Sequence, residues 1–442
     1  MSTRTYEVLE DVEPMLAAPT PSGLPRLLID VPMRGAMSLS EHLRTHGEMP
    51  TPHRRRGRET AIIEHLEEAG LRGRGGAGFP TARKMRAVAS SRRRPIVVVN
   101  ATEGEPASRK DRTLISSVPH MVIDGAVLAA NALGSDEVLL AVCETASSSY
   151  EQLAQAVAER DSGRARGPRI EPRIIPSGYV AGQESALISH LSGGPGLPTF
   201  SPPLPFEKGV NGRPTFLSNA ETFAHIALIC RHGPAWFREL GTLAEPGSSL
   251  VTLSGPVGRP GVYEIESGLR LSELVRAAGG LTSSPQAALI GGYGGSWIAA
   301  DHLEELTLCH AGLGPHEASL GAGVVALLDA EACPVAETAR ILRWLAGQSA
   351  GQCGPCVHGL GAIASEFEQL TGGTAQPDSS RRLERLATMV VRRGACGHPD
   401  GTARLLRSAL RAFPEEIADH ARHGLCEACT ATPQLPIPAT GR

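Results

Sequence analysis

No apolar run in this chain approaches the roughly 20 residues that a bilayer-spanning helix requires. The opening stretch MSTRTYEVLEDVEP places acidic residues where a secretory leader has a basic region and an apolar core. Membrane insertion and export are therefore disfavoured, and a cytoplasmic location is the expectation. Charge of one sign is missing too: 43 Lys and Arg stand against 46 Asp and Glu, a net of −3. That balance gives no electrostatic case for nucleic acid as a partner. The basic runs 54–56 and 92–94 read as solvated surface. There is no GxSxG elbow, although Ser185 and Ser254 lie near glycines, and no GxxxxGK[ST] loop, which disfavours serine hydrolysis and phosphoryl transfer. The nine cysteines are odd in number and unevenly spread, unlike a secreted disulfide framework. The two CxxC pairs, 353/356 and 426/429, lie far apart in sequence and neither stands near the HxxxH at 42/46, unlike the combined CxxC and HxxxH spacing of a local structural zinc site.

What is present is a long chain of several modules. At 442 residues it exceeds the size of one hydrophobic core. Residues 1–55 are rich in Pro and polar groups and read as an irregular lead-in. A helix over 60–69, a second from Thr81, a buried strand over 95–100, a helix over 114–133 and a strand over 137–142 then alternate. Such alternation predicts an α/β sheet with helices on its faces. From 248 to 330 the pattern changes to short strands (250–253, 261–264, 324–327) around one helix, a separate α+β module. Helical spacing returns over 335–345, 381–392 and 403–412, and the last dozen residues read as frayed.

Two segments carry chemistry. Cys353 and Cys356 stand two residues apart, with Cys396 about forty residues on. One tight turn that presents neighbouring thiolates, and another element that closes the far side, are what an iron–sulfur cube requires. A CxxCxxC turn would begin at Ala350, and a methyl group cannot bind iron. The missing corner leaves a water or outside ligand, a [3Fe–4S] centre, Cys426 or Cys429 folding back, or the imidazole of His358 or His398 as alternatives. Both histidines also read as plain surface residues near a turn, and the Cys426/Cys429 pair reads equally as a disordered reduced tail or as a ligand or redox pair. The second segment, 73–78, satisfies GxGxxG but follows a helix where a dinucleotide fingerprint follows a strand. Its glycines still let backbone N–H groups approach an anionic phosphate, with Arg72, Arg74 and Lys84 supplying positive charge.

GLRGRGGAGFPTARK (70–84), NATEGEP (100–106), YVAGQESAL (179–187), PTFLSNAET (214–222) and QSAGQCGPC (348–356) occur in that order. Together they resemble the NADH-binding, FMN-containing flavoprotein subunit of respiratory complex I. The resemblance implies an α/β fold with three parts: a Rossmann-like FMN/NADH-binding domain (56–247), a ubiquitin-like SLBB α+β module (248–330) and a C-terminal helical iron–sulfur domain (331–425), followed by a flexible tail (426–442). It implies hydride transfer from NADH to FMN, then single electrons to a [4Fe–4S]-type cluster held by Cys353, Cys356 and Cys396. Gly73, Arg74, Gly75, Lys84, Asn100, Thr102, Glu103, Gly182, Gln183, Glu184, Ser218 and Asn219 are implied to contact or shape the FMN pocket, and Phe79 and Glu105 to face the nicotinamide nucleotide. No residue is implied to act as a separate acid or base catalyst.

The departures from that pattern matter as much. Thr102 and Gln183 each replace an acid and Ser218 an asparagine, which removes two negative charges near the flavin and raises its potential. Ser201 stands where the resemblance implies a lysine, and Leu204 and Ala87 where it implies aromatic faces. At about 1 kcal/mol per aromatic contact and somewhat more for a charged hydrogen bond, NADH affinity drops by several kcal/mol. The function expected is thus an NAD(P)H-oxidising, diaphorase-like FMN/iron–sulfur module that passes electrons to a ferredoxin-like or thioredoxin-fold iron–sulfur protein. An NADH-independent flavin hub and a redox-inactive scaffold are the alternatives.

Overall fold

The computed structural model describes residues 23–32, 35–50, 58–161 and 167–438. The valine run becomes β1 (Ile96–Asn100), which joins β2 (Glu137–Cys143), β3 (Arg169–Ile175) and β4 (Thr215–Asn219) in a parallel sheet of order β3-β2-β1-β4. Its strands are apolar on both faces because both are covered, as parallel sheets require. Val97, Val99, Val138, Leu140 and Phe216 lie beneath the helices Arg58–Ala69, Pro119–Leu133 and Ala220–His232. Ile96, Val98, Leu139 and Leu217 face the helix Glu184–Leu191. The chain leaves β1 toward β2 on one side and returns as β4 on the other, so a crevice opens at the carboxyl ends of β1 and β4. In open α/β sheets this switch point is where ligands sit. Asn100 and Asn219 are level in register there.

The second module holds β5 (Ser248–Ser254), β6 (Gly261–Glu266), β7 (Pro285–Ile290), β8 (Ser296–Ala299) and β9 (Val324–Asp329), in the order β6-β5-β9-β7-β8. One face, with Val251, Leu253, Ala288, Ile290, Val325 and Leu327, is covered by the helix Leu271–Ala277. The other, with Ala287, Leu289, Trp297, Val324, Ala326 and Leu328, forms the floor of the helical segment and shares its core.

Several expectations are corrected. The helix expected over 114–133 is two, Lys110–Ser117 and Pro119–Leu133, bent by 95°. Pro119 cannot continue the first and suits the first turn of the second. The lead-in is not wholly irregular: Leu39–His46 is helical, started by a capping box between Ser38 and Glu41. Backbone N–H groups of Arg26, Leu27 and Leu28 donate to the buried Glu264 carboxylate, which ties this stretch to the second module. Basic residues 54–56 lie outside the described residues. Strands β7 and β8 and the helices Gly361–Thr371 and Pro414–His423 are also present, beyond those expected. Residues 426–438, expected as a flexible tail, lie against the body: Gln434 accepts from Asp329 N and donates from its own N–H to Glu337, and the Tyr293 hydroxyl donates to the Pro436 carbonyl. The apolar surroundings of Cys143, Cys230 and Cys309 in the sequence predict buried packing residues, but only Cys309 is buried and the other two are half-buried. Among the described residues no single helix is long and apolar enough to cross a membrane.

Candidate functional site

A cleft of about 440 Å³ opens at the β1/β4 switch point. Its walls come from all three parts of the fold: Arg74, Gly75 and Gly76, the 100–105 segment, Gly182, Asn219, then Gly291 and Gly321, and finally Cys396 and His398. Its volume is that of an ordinary cofactor site.

The glycine loop between the helices Arg58–Ala69 and Thr81–Ala89 forms the near wall, closed at its base by Gly73 N–H donating to the Phe79 carbonyl at 2.9 Å. A Cβ on Gly75 would stand 3.3 Å from the Cβ of Asn219, and Gly76 has φ +100°. Here glycine permits both the close approach and the left-handed backbone. Arg74 N–H donates to the Thr222 hydroxyl at 2.9 Å, yet its side-chain Nε is buried with no hydrogen-bond partner, 3.9 Å from Glu221. A buried donor without an acceptor, beside a backbone cradle, suits the phosphate of a flavin mononucleotide.

Beneath the loop lies a buried ionic network. Lys110 Nζ donates to Asp111 at 2.9 Å, to Asn219 Oδ1 at 3.1 Å and to Glu221 at 3.0 Å. Asn219 Nδ2 donates to Asp111 at 2.7 Å, and Leu250 N–H donates to Glu221 at 2.9 Å. Burial works against the Lys110 charge, but the Asp111 and Glu221 carboxylates outweigh it and hold the ammonium above its ordinary range. Glu221 is held down to about 2: burial opposes its charge and Lys110 overcomes that. Asp111 is pushed up to about 6, because its burial outweighs the same ammonium.

Asn100 Nδ2 donates to the Gly182 carbonyl at 2.8 Å, and the Thr102 hydroxyl donates to Asn100 Oδ1 at 2.6 Å. A Cβ at Gly182 would fall 2.2 Å from that hydroxyl. Asn100, oriented by Thr102, thus latches the two loops together. Glu103 accepts from Ser108 and from the N–H groups of Asp111 and Arg112, which caps the helix Lys110–Ser117. Gln183 caps the helix Glu184–Leu191 in the same way, accepting from Ser185 and Ala186 N–H groups. Lys84 pairs with Glu184. Ser218 is half-buried on β4, and Phe79 is 50% exposed with Arg83 over its ring. Of the expected contacts, then, Arg74, Gly75, Asn100, Thr102, Glu103, Glu105, Gly182, Gln183 and Asn219 come together in one cleft. Gly73, Lys84, Glu184, Ser218 and Phe79 stand behind or beside it. Sequence reading missed Lys110, Asp111 and Glu221: the first two sit in the charged run 109–112, which looks like solvated surface, and Glu221 lies in the 214–222 motif without a role assigned to it.

Glu105 is buried and accepts from Tyr293 N–H at 2.9 Å and from Ala107 N–H at 3.3 Å. Burial pushes its carboxyl from 4.5 up to about 7, against those two donors. A raised folded-state value means that the folded chain binds this proton more tightly than the unfolded one. Its effect on stability is therefore most favourable below about pH 4.5, is lost as pH rises to about 7, and stays lower above. Glu105→Gln is expected to flatten the decline in denaturation midpoint between pH 5 and 8.

At the far wall, Cys353 and Cys356 share one turn, with Cys356 N–H donating to the Cys353 carbonyl at 3.0 Å, and Cys396 approaches from the loop before the helix His398–Ala412. Burial, then the neighbouring Cys353 and Cys396 sulfurs, push the Cys356 thiol up to about 12. Three convergent thiols fit an iron–sulfur centre, and Ala350 offers no fourth donor. His358 is exposed. His398 is buried, donates from Nε2 to the Leu345 carbonyl at 2.8 Å, and keeps a buried Nδ1 without a hydrogen-bond partner. Cys426 and Cys429 do not join the three. Their sulfurs lie with those of Cys333 and with His420.

Three family models match the chain: the Nuo51 FMN-binding domain over residues 66–228, the SLBB domain over 250–295, and the NADH-ubiquinone oxidoreductase-F iron–sulfur binding region over 336–420. The chain is 32% identical over 381 residues to the F 2 subunit of NADH-quinone oxidoreductase from Rhizobium meliloti, covering 83% of this chain and 90% of the relative. It is 31% identical over 381 residues to the corresponding NADH-quinone oxidoreductase protein of Mycobacterium tuberculosis, covering 83% and 85%. Among solved structures it is similar to the NAD+-reducing [NiFe]-hydrogenase, in the H2-reduced state (TM-score 0.77, 33% identity, 82% of this chain) and the air-oxidized state (TM-score 0.78, 32% identity, 92% of this chain). It spans 63% of the first of those chains and 69% of the second.

Proposed function

From the premise that the chain belongs to the F-type flavoprotein family of NADH-quinone oxidoreductases, we propose that it takes electrons from NADH at the switch-point cleft and delivers them across that cleft to the Cys353/Cys356/Cys396 side. A bound flavin accepts a hydride and releases electrons singly, and an iron–sulfur centre takes them one at a time. One observation carries this reading: Cys396 lines the same cleft as Arg74, Gly75 and Gly76. Donor and acceptor groups held there are neighbours, so no further relay is needed between them.

The residues divide the work. The glycine loop and Arg74 hold a phosphate; Asn100, Thr102 and Gly182 fix the loop above it. Glu105 sits on the opposite wall as a buried carboxyl that changes charge near neutral pH. Phe79 offers an exposed ring on the glycine loop, outside the cleft lining. The turn bearing Cys353 is half-exposed, with Val357 on the surface beside it, which supports a small iron–sulfur protein of ferredoxin or thioredoxin fold as the electron partner.

A second reading, electron exchange with such a partner and no use of NADH, rests on the 199–205 loop. Phe200, Ser201 and Leu204 are exposed there, and the lysine and aromatic face implied at Ser201 and Leu204 are absent. Anaerobic titration of the purified flavin-loaded chain separates the two. Bleaching of the flavin bands by about one equivalent of NADH, the stoichiometry of one hydride per flavin, is the expected result. Bleaching by dithionite or a reduced ferredoxin but not by excess NADH overturns it in favour of the second.

A further inference from the structure

Three cysteines and a histidine that play no part in the cleft meet elsewhere. The Cys333 and Cys429 sulfurs are 3.5 Å apart, as are those of Cys426 and Cys429. His420 Nε2 lies 3.4 Å from Cys333 Sγ and 3.9 Å from Cys429 Sγ. All four ligand atoms lie within 4.8 Å of one another. With metal–sulfur bonds of about 2.3 Å and a metal–nitrogen bond of about 2.0 Å, the edges of a tetrahedron come to about 3.5 to 3.8 Å. The four atoms already stand close to those separations. A disulfide would need its sulfurs at about 2.05 Å.

Each ligand is prepared by its element. Cys333 occupies the N-cap of the helix Pro334–Gly347 and accepts from Ala336 N–H at 3.3 Å, where the helix dipole favours a thiolate. His420 is buried in the last turn of the helix Pro414–His423, and its Nδ1 faces the Leu370 carbonyl at 3.4 Å, which leaves the Nε2 lone pair toward the sulfurs. Gly424, at φ +77°, ends that helix and turns the chain back. Cys426 and Cys429 then return on one turn of 3-10 helix, with Cys429 N–H donating to the Cys426 carbonyl at 3.1 Å.

We propose that Cys333, His420, Cys426 and Cys429 bind one zinc ion in a closed structural site, distinct from the Cys353/Cys356/Cys396 centre. Three thiolates and one imidazole, all from protein and tetrahedrally spaced, are a zinc ligand set with no open position for chemistry. The three thiols release their protons to solvent as the ion binds, so retention weakens as pH falls. The ion clips residues 426–429 to the helical segment and thereby anchors the strap that follows. Through Pro436 that strap meets the Tyr293 hydroxyl, and Tyr293 N–H donates to Glu105 in the cleft.

The test is metal analysis by plasma mass spectrometry on the full chain, purified anaerobically without added metal, alongside the Cys426→Ser and Cys353→Ser variants. About one zinc per chain is expected in the parent. Cys426→Ser should lose most of it while keeping its flavin and iron, and should be cut faster by protease within the tail. Cys353→Ser should lose iron and keep zinc. Should Cys426→Ser fail to fold, cobalt loaded into the parent after zinc removal reads the same site through the visible bands of tetrahedral thiolate coordination. The proposal is overturned by a parent that holds no zinc before or after exposure to it, or by zinc that leaves with Cys353 instead of Cys426. Iron in place of zinc, or a Cys426–Cys429 disulfide found by intact mass, overturns it equally.

Discussion

Lys110→Met is expected to destabilise the fold by about 3 to 5 kcal/mol and to empty the flavin cleft, because it strands two buried carboxylates. Methionine keeps the unbranched shape of the stem and removes only the ammonium. Asp111 and Glu221 would then face each other across a site in which Lys110 is 4% exposed and Glu221 1% exposed by side chain. Glu221 would keep Arg74, whose Nε is 3.9 Å away, and His225 Nε2 at 3.7 Å, an imidazole whose burial disfavours its charged form. Asn219 would also lose a donor to its Oδ1, and Asn219 is the residue against which Gly75 packs. Urea denaturation and flavin-to-protein ratio after gel filtration check both parts of the expectation. Lys110→Met combined with Glu221→Gln should recover part of the stability, since the second change removes the charge that the first leaves unpaired. A double variant no better than the single one would place the damage in packing.

Gly125→Ala is the second large effect, expected to cost about 3 kcal/mol or more through overpacking. Gly125 lies in the helix Pro119–Leu133, where a Cβ would stand 1.7 Å from the carbonyl oxygen of Phe223 and 2.5 Å from its carbon. Both obstacles are backbone, so no side-chain rotation relieves them. The two helices would have to move apart, and Phe223 belongs to the helix Ala220–His232 that begins at Asn219. Thermal melting should fall by about 10 °C or the chain should fail to accumulate, given that larger domains shift by roughly 2–4 °C per kcal/mol. Flavin content should fall with it, because the displaced helix carries Glu221. Alanine at Gly134, where nothing lies within 4 Å, is the matching control for a glycine that owes its place to a left-handed φ of +66° and not to crowding.

The parts legible in the sequence were those whose signal is local. The glycine loop shows in consecutive residues because close backbone approach and positive φ both demand the absence of Cβ. The turn of Cys353 and Cys356 shows because both thiolates reach one centre from a single bend. The buried strand Ile96–Asn100 shows as a continuous apolar run because both faces of a parallel sheet are covered. The strand Arg169–Ile175 was missed, since it lies at the sheet edge with little of it buried and Pro172 interrupts its alternation of charged residues with isoleucine. The bend at Pro119 was missed because the apolar spacing continues through it, and one proline cannot be told from a helix start by period alone.

By itself, then, the order of five motifs and the three cysteines determined the family resemblance, the flavin loop and the iron–sulfur reading. These are encoded in spacing, backbone freedom and side-chain type within a few residues. Only the tertiary structure decided which distant groups share a site. Lys110 meets Asn219 and Glu221 across 109 and 111 residues of chain, and Cys333 meets Cys429 across 96. No local pattern records such meetings, because they depend on where helices pack and strands cross over. The sequence holds His420, Cys426 and Cys429 within ten residues, but three ligands do not close a zinc site, and only the fold brings Cys333 to them as the fourth.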